Sequence, residues 1–300
     1  MKVFLTGASG VMGRSSIQAL HSAGHDVVGL ARTRESAAQI ADAGAEPCLG
    51  DLFDRAAMSA GMRNCDAVAN LATRVPVGTR ALLPGSLKAI DEIRFRGSRV
   101  VAEAARDAGV GRIIQQSLSF MYADQGDDWI DERSPIDVTR ATEPVIVAED
   151  NAAAINSWGG TAVSLRFGLI SGNDANSAWL FRRAAANRSI GLGEETGWMH
   201  VIHPEDVGTA VVHALMAPGG AYNVGAEPVR RRNYVNSMAL AAGRTTGRFL
   251  PGWTVRLGGK KLEILTRSQR VSSQLFSDRT GWQPRHPQLT PDWFHGLVRA

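Results

Sequence analysis

The feature that most constrains the fold is a glycine-rich loop near the start of the chain, Thr6-Gly7-Ala8-Ser9-Gly10-Val11-Met12-Gly13. It follows the apolar segment Lys2–Thr6, which we predict as a buried strand, and it leads into a helical pattern over Met12–Ala23. A Gly-x-x-Gly-x-x-Gly loop in this position allows a tight turn and lets a pyrophosphate rest on the helix N-terminus. The strand–loop–helix context therefore predicts a dinucleotide site.

Strand and helix patterns alternate as far as residue 171. This alternation is typical of right-handed crossovers in an α/β fold with a doubly wound parallel Rossmann sheet. From Gly172 onward Gly, Pro and Trp become common. We expect a dinucleotide-binding domain over residues 1–171, a smaller C-terminal substrate lobe over 172–300, and a last strand near 221–225 that returns to the sheet. The other predicted strands are Asp26–Ala31, Glu46–Leu49, Ala67–Leu71, Arg112–Ser117 and Thr161–Phe167, and the other predicted helices are Arg34–Ala43, Asp54–Met62, Ile90–Ala108 and Glu143–Ser157.

Cysteine and histidine usage narrows the class of protein. The chain has two cysteines, Cys48 and Cys65, and no Cys-x-x-Cys pair, which argues against a disulfide scaffold and fits a cytoplasmic protein. His200 and His203 lie three residues apart without a third ligand at convincing spacing, so we expect no metal. No apolar run reaches the ~18 residues of a membrane span, and we expect no membrane partner.

Charge is distributed unevenly along the chain. Residues 228–300 contain thirteen Lys and Arg against three acidic residues, a net charge of +10, whereas residues 1–227 carry −6. Either the C-terminal part has a solvated basic surface, or it meets something anionic. The basic residues form no nucleic-acid motif, so we expect no nucleic-acid partner. We expect a small-molecule substrate with an anionic feature on itself or on a carrier. Its first expected contacts are Arg230, Arg231 and Arg232, although this run could instead be a solvated helix start. A homodimer is also possible.

The end of the second predicted strand bears on the choice of cofactor. In NAD enzymes an acidic residue at this point holds the ribose hydroxyls. Here Ala31 takes that position and Arg32 follows, with Arg34 close by. Without the carboxylate a 2′-phosphate is not repelled, and the arginine supplies a charged donor. The pattern favours NADP (NADPH) over NAD, although an ordinary surface role for Arg32 stays open.

Further motifs resemble those of the extended short-chain dehydrogenase/reductase family, often labelled NAD-dependent epimerase/dehydratase. They run along nearly the whole chain and are Gly50-Asp51-Leu52, Asn70-Leu71-Ala72, Ser117-Leu118-Ser119-Phe120-Met121-Tyr122, Arg166-Phe167-Gly168, His203-Pro204-Glu205-Asp206-Val207, Tyr222-Asn223-Val224-Gly225 and Gly281-Trp282-Gln283-Pro284. The resemblance implies an enzyme that binds a nicotinamide dinucleotide. With the glycine loop, it implies cofactor contacts from Gly7, Ser9, Gly10, Val11, Met12, Gly13, Arg32, Asp51, Leu52, Leu71 and Ala72.

One departure from the family pattern concerns the catalytic pair, Tyr-x-x-x-Lys. The family places it on the helix after the serine-rich segment, where the tyrosine exchanges a proton with the substrate oxygen. This chain has no tyrosine between Tyr122 and Tyr222 and no lysine between Lys88 and Lys260. No shift of alignment restores the pair, so the chain is identified as an atypical member. The asparagine expected before the fifth strand is also missing, and Arg94 occupies about that place.

Hydride transfer still needs a proton donor near the reacting oxygen, and the sequence offers several candidates. Tyr122 follows the fifth strand, whose carboxyl end faces the crevice in doubly wound folds; it is otherwise a packed aromatic residue. Ser117 and Ser119 could hydrogen-bond a carbonyl or only satisfy the backbone. Glu149, beside Asp150, could act as an acid if burial kept it neutral, or be a solvated carboxylate. His200, next to Trp198 and Met199, is a candidate for the substrate pocket.

Three functions follow from these residues. The leading one is an NADP(H)-dependent oxidoreductase, a carbonyl reductase of a small or medium substrate with a non-standard proton donor. The second is a non-redox enzyme of the epimerase or dehydratase type that uses bound NADP. The third is an NADP-binding sensor or partner-binding protein without turnover, which the loss of the Tyr-x-x-x-Lys pair favours.

Overall fold

A computed structural model describes residues 1–253 and 260–297 of the chain. Its centre is a sheet of seven parallel strands: β1 (Lys2–Thr6), β2 (Asp26–Ala31), β3 (Glu46–Leu49), β4 (Ala67–Asn70), β5 (Arg112–Leu118), β7 (Thr161–Phe167) and β11 (Gly220–Val224). Their order is β3-β2-β1-β4-β5-β7-β11, which confirms the doubly wound Rossmann architecture. The order reverses between β1 and β4, and ligands of such sheets bind at this reversal, outside the carboxyl ends of the strands.

Helices cover both faces of the sheet because strand side chains alternate between two apolar clusters. Val3 and Leu5 of β1 belong to the cluster that α1 and α8 cover. Phe4 belongs to the opposite cluster, which lies under α3, α5 and α6. The helices are α1 (Val11–Ser22), α2 (Arg34–Asp42), α3 (Arg55–Met62), α4 (Lys88–Glu92), α5 (Ser98–Asp107), α6 (Glu143–Ala153), α7 (Ala175–Ala185), α8 (Pro204–Ala214), α9 (Arg231–Ala241), α10 (Lys260–Thr266) and α11 (Gln274–Thr280).

The helix predicted over Ile90–Ala108 is interrupted. It begins earlier, with α4, and a π-helical segment over Ile93–Gly97 joins α4 to α5. The helix predicted over Glu143–Ser157 is also shorter than expected. It ends at Ala153 and continues as a 3₁₀ turn over Ala154–Trp158.

The C-terminal part of the chain has a core of its own, in which Tyr234 and Met238 of α9 pack with Phe294. Three pairs of two-residue strands support it: β6 (Trp129–Ile130) with β13 (Arg270–Val271), β8 (Leu169–Ile170) with β10 (Val201–Ile202), and β9 (Trp198–Met199) with β12 (Val229–Arg230). The strand expected near 221–225 returns to the sheet as β11, and α8 packs on α1. The division at residue 171 stays a prediction. In the described part of the chain, no helix is both long enough and apolar enough to cross a bilayer.

Candidate cofactor site and catalytic cluster

The glycine loop turns tightly over the ends of β1 and β4. Gly7 has a φ of +67°, and a Cβ there would lie 2.6 Å from the Leu71 carbonyl oxygen. The Gly10 amide donates to the Gly7 carbonyl at 3.0 Å, and Gly10 is the N-cap of α1. A Cβ on Gly13 would lie 2.3 Å from the Gly7 carbonyl oxygen. Helix, loop and strand end therefore approach more closely than any side chain permits.

The N-terminus of α1 is prepared for an anion. Its first turn contains no acidic residue, and its first backbone N–H groups have no partner within the helix. Arg14 donates from Nη1 to the Ser9 carbonyl at 2.6 Å, which fixes the loop. Ser9 and Val11 are half-buried and Met12 is buried. These residues fit the pyrophosphate role predicted from the sequence.

The residues predicted to select the cofactor lie at the carboxyl end of β2. Ala31 is the last residue of that strand and is buried. Thr33 caps α2 through a capping box with Ser36. Arg32 and Arg34 flank this cap, are exposed, and form no hydrogen bond or ion pair through their side chains within residues 1–253 and 260–297. Both guanidinium groups are thus free to meet a phosphate beside the α2 N-terminus.

The remaining predicted cofactor residues follow β3 and β4. Asp51 is exposed and accepts a bond from the Phe53 amide at 2.8 Å, while Leu52 is buried. Leu71 is buried, and the Ala72 amide donates to Thr6 Oγ1 at 3.2 Å. The fold thus brings together at one edge of the sheet all the residues that the sequence assigned to the cofactor. Their contacts with it stay predictions.

A row of polar side chains crosses the same face of three neighbouring strands. Thr6 of β1 donates to Asn70 Oδ1 of β4 at 2.6 Å, and Asn70 Nδ2 donates to Gln115 Oε1 of β5 at 2.8 Å. All three residues are buried. The row ties together the strand ends on either side of the β1–β4 reversal, and buried polar groups satisfied in this way rigidify a site.

Farther along this face, Ser117 and Glu149 belong to a buried ionic cluster. Glu149 of α6 pairs with Arg166 of β7 through two bonds, Nε to Oε1 at 2.9 Å and Nη2 to Oε2 at 2.8 Å. Ser117 Oγ of β5 donates to the same Oε1 at 2.5 Å. Burial alone lowers the pKa of Arg166, but the bonds and charge of Glu149 outweigh it and raise that pKa. Asp150, the neighbouring candidate, is exposed.

Tyr122 completes this cluster and is fully buried. Its hydroxyl donates to Asn223 Oδ1 of β11 at 2.9 Å and accepts from Arg166 Nη1 at 2.8 Å. Burial raises the pKa of Tyr122. The backbone N–H of Asn223 in turn donates to Glu132 Oε1 at 2.8 Å. The structure thus joins three predicted catalytic residues through Arg166. Nothing in the sequence marked Glu132 as a member; Asn223 was visible only as part of a family motif.

Ser119 lies apart from this cluster, beside His200. The Ser119 hydroxyl and His200 Nδ1 are 2.9 Å apart, and both residues are fully buried. Burial lowers the pKa of His200 to about 3, so the imidazole is neutral at pH 7. A Cβ on Gly225 would lie 2.2 Å from His200 Nε2, which shows how tightly the ring is enclosed. His200 therefore offers no exposed surface to a substrate.

The arginines that were expected to meet an anionic substrate have partners within the protein. Arg230 donates to Asp127 Oδ1 at 2.6 Å, and its guanidinium carbon lies 3.9 Å from the ring centroid of Trp198. Arg231 is buried and donates to the carbonyl oxygens of Glu194, Thr266 and Arg267. The structure thus gives this run a supporting role, and substrate contact by Arg230 stays a prediction.

The structure places His286 beside His203 and Glu205, which gives a third potential metal ligand that the sequence did not reveal. His286, from the segment after α11, donates from Nε2 to Glu205 Oε2 at 3.0 Å, and its ring centroid lies 3.8 Å from that of His203. Potential ligand atoms of His203, Glu205 and His286 lie within 4.8 Å of one another. The group sits at the positive N-terminus of α8, which disfavours a cation.

Comparisons with known proteins agree with the Rossmann fold and with its glycine loop. The family model of the NAD dependent epimerase/dehydratase family matches residues 3–225. A 3-diazoavenalumate denitrifying reductase from Streptomyces sp is 27% identical over 315 residues, covering 100% of both proteins. A 4-hydroxy-2-methyl-3-oxo-4-farnesyl-3,4-dihydroquinoline-1-oxide ketoreductase from Stigmatella aurantiaca is 34% identical over 128 residues, which are 41% of this chain and 35% of that protein. The structure of a UDP-glucose-4-epimerase from Stenotrophomonas maltophila with bound NAD superposes with a TM-score of 0.77 at 22% identity, covering 100% of this chain and 99% of that one.

Proposed function

The chain belongs to the NAD dependent epimerase/dehydratase family, and from this premise we propose that it is an NADP(H)-dependent reductase of a carbonyl group on a small or medium-sized substrate. One observation carries the cofactor part of the proposal. Ala31 stands where NAD enzymes of this fold have a carboxylate, and Arg32 and Arg34, whose guanidinium groups have no partner among the described residues, flank the N-terminus of α2.

The preference for NADPH follows from the charges at this point. An acidic residue would repel a 2′-phosphate, whereas Ala31 does not. Arg32 offers a planar set of donors that matches a phosphate, and the N-terminus of α2 adds a partial positive charge. The epimerase with the similar structure contains NAD, so the choice between the two cofactors is the finer part of the proposal.

Net reduction, rather than epimerisation, is supported by two of the related proteins. Their names describe a denitrifying reductase and a ketoreductase, and the first of them aligns with this chain from end to end. An epimerase of this family relies on the tyrosine of the Tyr-x-x-x-Lys pair, and this chain has no tyrosine between Tyr122 and Tyr222. A carbonyl reductase also needs a proton donor beside the reacting oxygen, so this absence weakens both reactions, and the names of the two relatives are what support net reduction.

A bound NADPH would supply hydride chemistry to the mechanism. The glycine loop and α1 would hold its pyrophosphate, and the row Thr6, Asn70 and Gln115 fixes the strand ends at this edge of the sheet. Tyr122 already donates its hydroxyl proton to Asn223, and Glu149 is paired with Arg166. We assign these groups a positioning role, and water or the substrate supplies the proton.

Titration of NADPH and NADH into the purified protein tests the cofactor assignment. We expect wild type to bind NADPH at least tenfold more tightly than NADH, since a charge-assisted hydrogen bond contributes about 1.5–3 kcal/mol. Arg32→Ala should lose most of this preference and leave the NADH affinity unchanged. Arg63→Ala is the matched control, because Arg63 is exposed and caps α3 at the opposite, amino edge of the sheet. Equal affinities in wild type would refute the NADPH preference.

Oxidation of NADPH in the presence of a panel of aldehydes and ketones tests the reaction. Turnover with any of them supports the reductase. Tight NADPH binding without turnover on the whole panel favours the sensor alternative, to which the burial of Tyr122 and the pairing of Glu149 lend support.

A further inference from the structure

Arg94 is a buried cation without a hydrogen-bond or ion-pair partner among the described residues. The residue is 9% exposed, and its guanidinium forms no hydrogen bond or ion pair with any residue in the described ranges. Arginine is almost never buried to this extent unless it is paired, because an isolated charge pays a large desolvation cost. The described residues give this cation no counter-charge, which suggests that a bound anion supplies it.

The helix around Arg94 is shaped by dedicated contacts. Arg94 lies in the π-helical segment, where the regular hydrogen bonds of the helix are shifted. The Ser98 hydroxyl donates to the Arg94 carbonyl, and Asn151 of α6 donates to Ser98 Oγ at 2.8 Å and to the Phe95 carbonyl at 3.2 Å. Short π-helical segments are frequent at functional sites. Two side chains thus hold the unusual backbone that places Arg94.

The position of Arg94 in the fold is at the carboxyl edge of the sheet. The α4–α5 helix connects β4 to β5. A Cβ on Gly97, three residues after Arg94, would lie 2.7 Å from Leu52 Cδ2, just beyond the carboxyl end of β3. The π-helical segment that holds Arg94 therefore lies beside Leu52, one of the predicted cofactor contacts.

The charges around Arg94 do not neutralise it. Asp91, one turn earlier, is half-buried and does not reach ion-pair distance, and Arg140 also acts on Asp91. Burial lowers the pKa of Arg94 to about 10, opposed by the charge of Asp91, so the guanidinium stays positive at neutral pH. A bound anion would offset the desolvation that lowers this pKa.

We propose that Arg94 binds a carboxylate of the substrate at the carboxyl edge of the sheet. This inference rests on the proposed function and names the substrate class as carboxylate-bearing carbonyl compounds. A guanidinium matches a carboxylate through two parallel bonds. The pyrophosphate of the cofactor is the other source of such an anion, but the α1 N-terminus on the opposite side of the β1–β4 reversal already provides for it. Arg94 also supplies a cation in a fold that lacks the family lysine.

Binding of benzoate and of neutral benzamide to the NADP⁺-saturated protein tests the proposal. We expect wild type to bind benzoate at least tenfold more tightly than benzamide by calorimetry. Arg94→Met should abolish the difference, and Arg94→Lys, which keeps the charge but not the planar fork, should retain part of it. An absence of preference in wild type, or an unchanged preference in Arg94→Met, would overturn the proposal.

Two further measurements separate the possible failures. NADPH should bind Arg94→Met as tightly as wild type; a tenfold loss would assign Arg94 to the cofactor phosphates and overturn the proposal. The melting temperature of Arg94→Met should rise by about 2 °C or more, because a buried unpaired charge is removed. A fall in melting temperature with the benzoate preference unchanged would show a structural role. If wild type fails to bind NADPH at all, the proposed function itself fails.

Discussion

At the scale of single residues, the surroundings of Tyr122 decide what its hydroxyl can do. The hydroxyl oxygen accepts a hydrogen bond from Arg166, and the hydroxyl donates one to Asn223 Oδ1. Its only proton is therefore already engaged within the protein. A general acid must reach the substrate oxygen directly or through one water. Full burial of Tyr122 makes the residue a link between β5, β7 and β11.

Tyr122→Phe distinguishes this link from a proton donor. The substitution removes the partner of Arg166 Nη1 and of Asn223 Oδ1, and we expect a stability loss of about 1–3 kcal/mol in urea unfolding. The rate of NADPH oxidation should stay within about threefold of wild type, whereas loss of a general acid costs about 10²–10⁴. Tyr222→Phe is the control, because the Tyr222 hydroxyl bonds the Pro218 carbonyl outside the cluster. A hundredfold loss of turnover at unchanged stability would identify Tyr122 as the donor.

At the scale of elements, the contact between α1 and the loop before it is the closest in the cofactor site. Gly13 belongs to α1 and faces the Gly7 carbonyl and Ala8, where a Cβ would be 2.3–2.5 Å away from backbone atoms. Backbone cannot move aside as a flexible side chain can. Any side chain at Gly13 must therefore displace the helix N-terminus that is to hold the pyrophosphate.

Gly13→Ala should reduce NADPH affinity by at least about tenfold, because about 1.4 kcal/mol of misplacement suffices for that change. Gly24→Ala provides a matched control just beyond the other end of α1. Gly24 has a φ of +77°, but a Cβ there meets nothing within 4 Å, so its cost of about 1 kcal/mol is backbone strain alone. Its NADPH affinity should equal that of wild type. Equal affinities for both variants would show that helix displacement does not control binding.

Elements whose formation depends on local pattern could be predicted from the sequence. The bounds of β1 and β2 agree with prediction because each is a mainly apolar, buried segment followed by turn residues. The π-helical segment could not be predicted, since Asn151, 56 residues away from Phe95, satisfies its carbonyl. The predicted cofactor residues lie in short local motifs, so the sequence could indicate them. The pairing of Glu149 with Arg166 forms only when α6 packs on β7, so the sequence could not indicate it.

At the scale of the whole molecule, the uneven charge of the sequence is partly used inside the protein. Arginines of the basic segment 228–300 pair with acidic residues of the preceding part: Arg230 with Asp127, Arg232 with Glu195 and Arg267 with Asp137. Arg256 and Arg299 lie outside the described residues. The excess of +10 therefore serves in part to dock the C-terminal segment, and the case for an anionic substrate depends on Arg94 instead.

The pair of Arg267 and Asp137 should matter most for this docking. Arg267 is 5% exposed and also donates to the Tyr122 carbonyl at 3.0 Å, so it joins the segment after α10 to the loop that follows β5. Arg267→Met leaves that carbonyl without a charged donor, and we expect a loss of about 1–3 kcal/mol in urea unfolding. This loss is smaller than that expected for a fully buried ion pair, because the Asp137 side chain is 49% exposed and can be solvated once Arg267 is removed.

Arg232→Met is the control, because it removes the same charge from an exposed ion pair instead of a buried one. Its partner is Glu195 and both side chains are largely exposed, at 59% and 45%, so its loss should stay within about 1 kcal/mol. Both variants remove one positive charge from the same segment, and a purely electrostatic attraction between the two parts of the chain would weaken equally in each. A larger effect of Arg267→Met shows that the buried bonds to Tyr122 and Asp137 hold the segment in place. Equal effects would mean that overall charge holds it, and 1 M NaCl should then destabilise wild type as much as either substitution does, since it shortens the Debye length to about 3 Å.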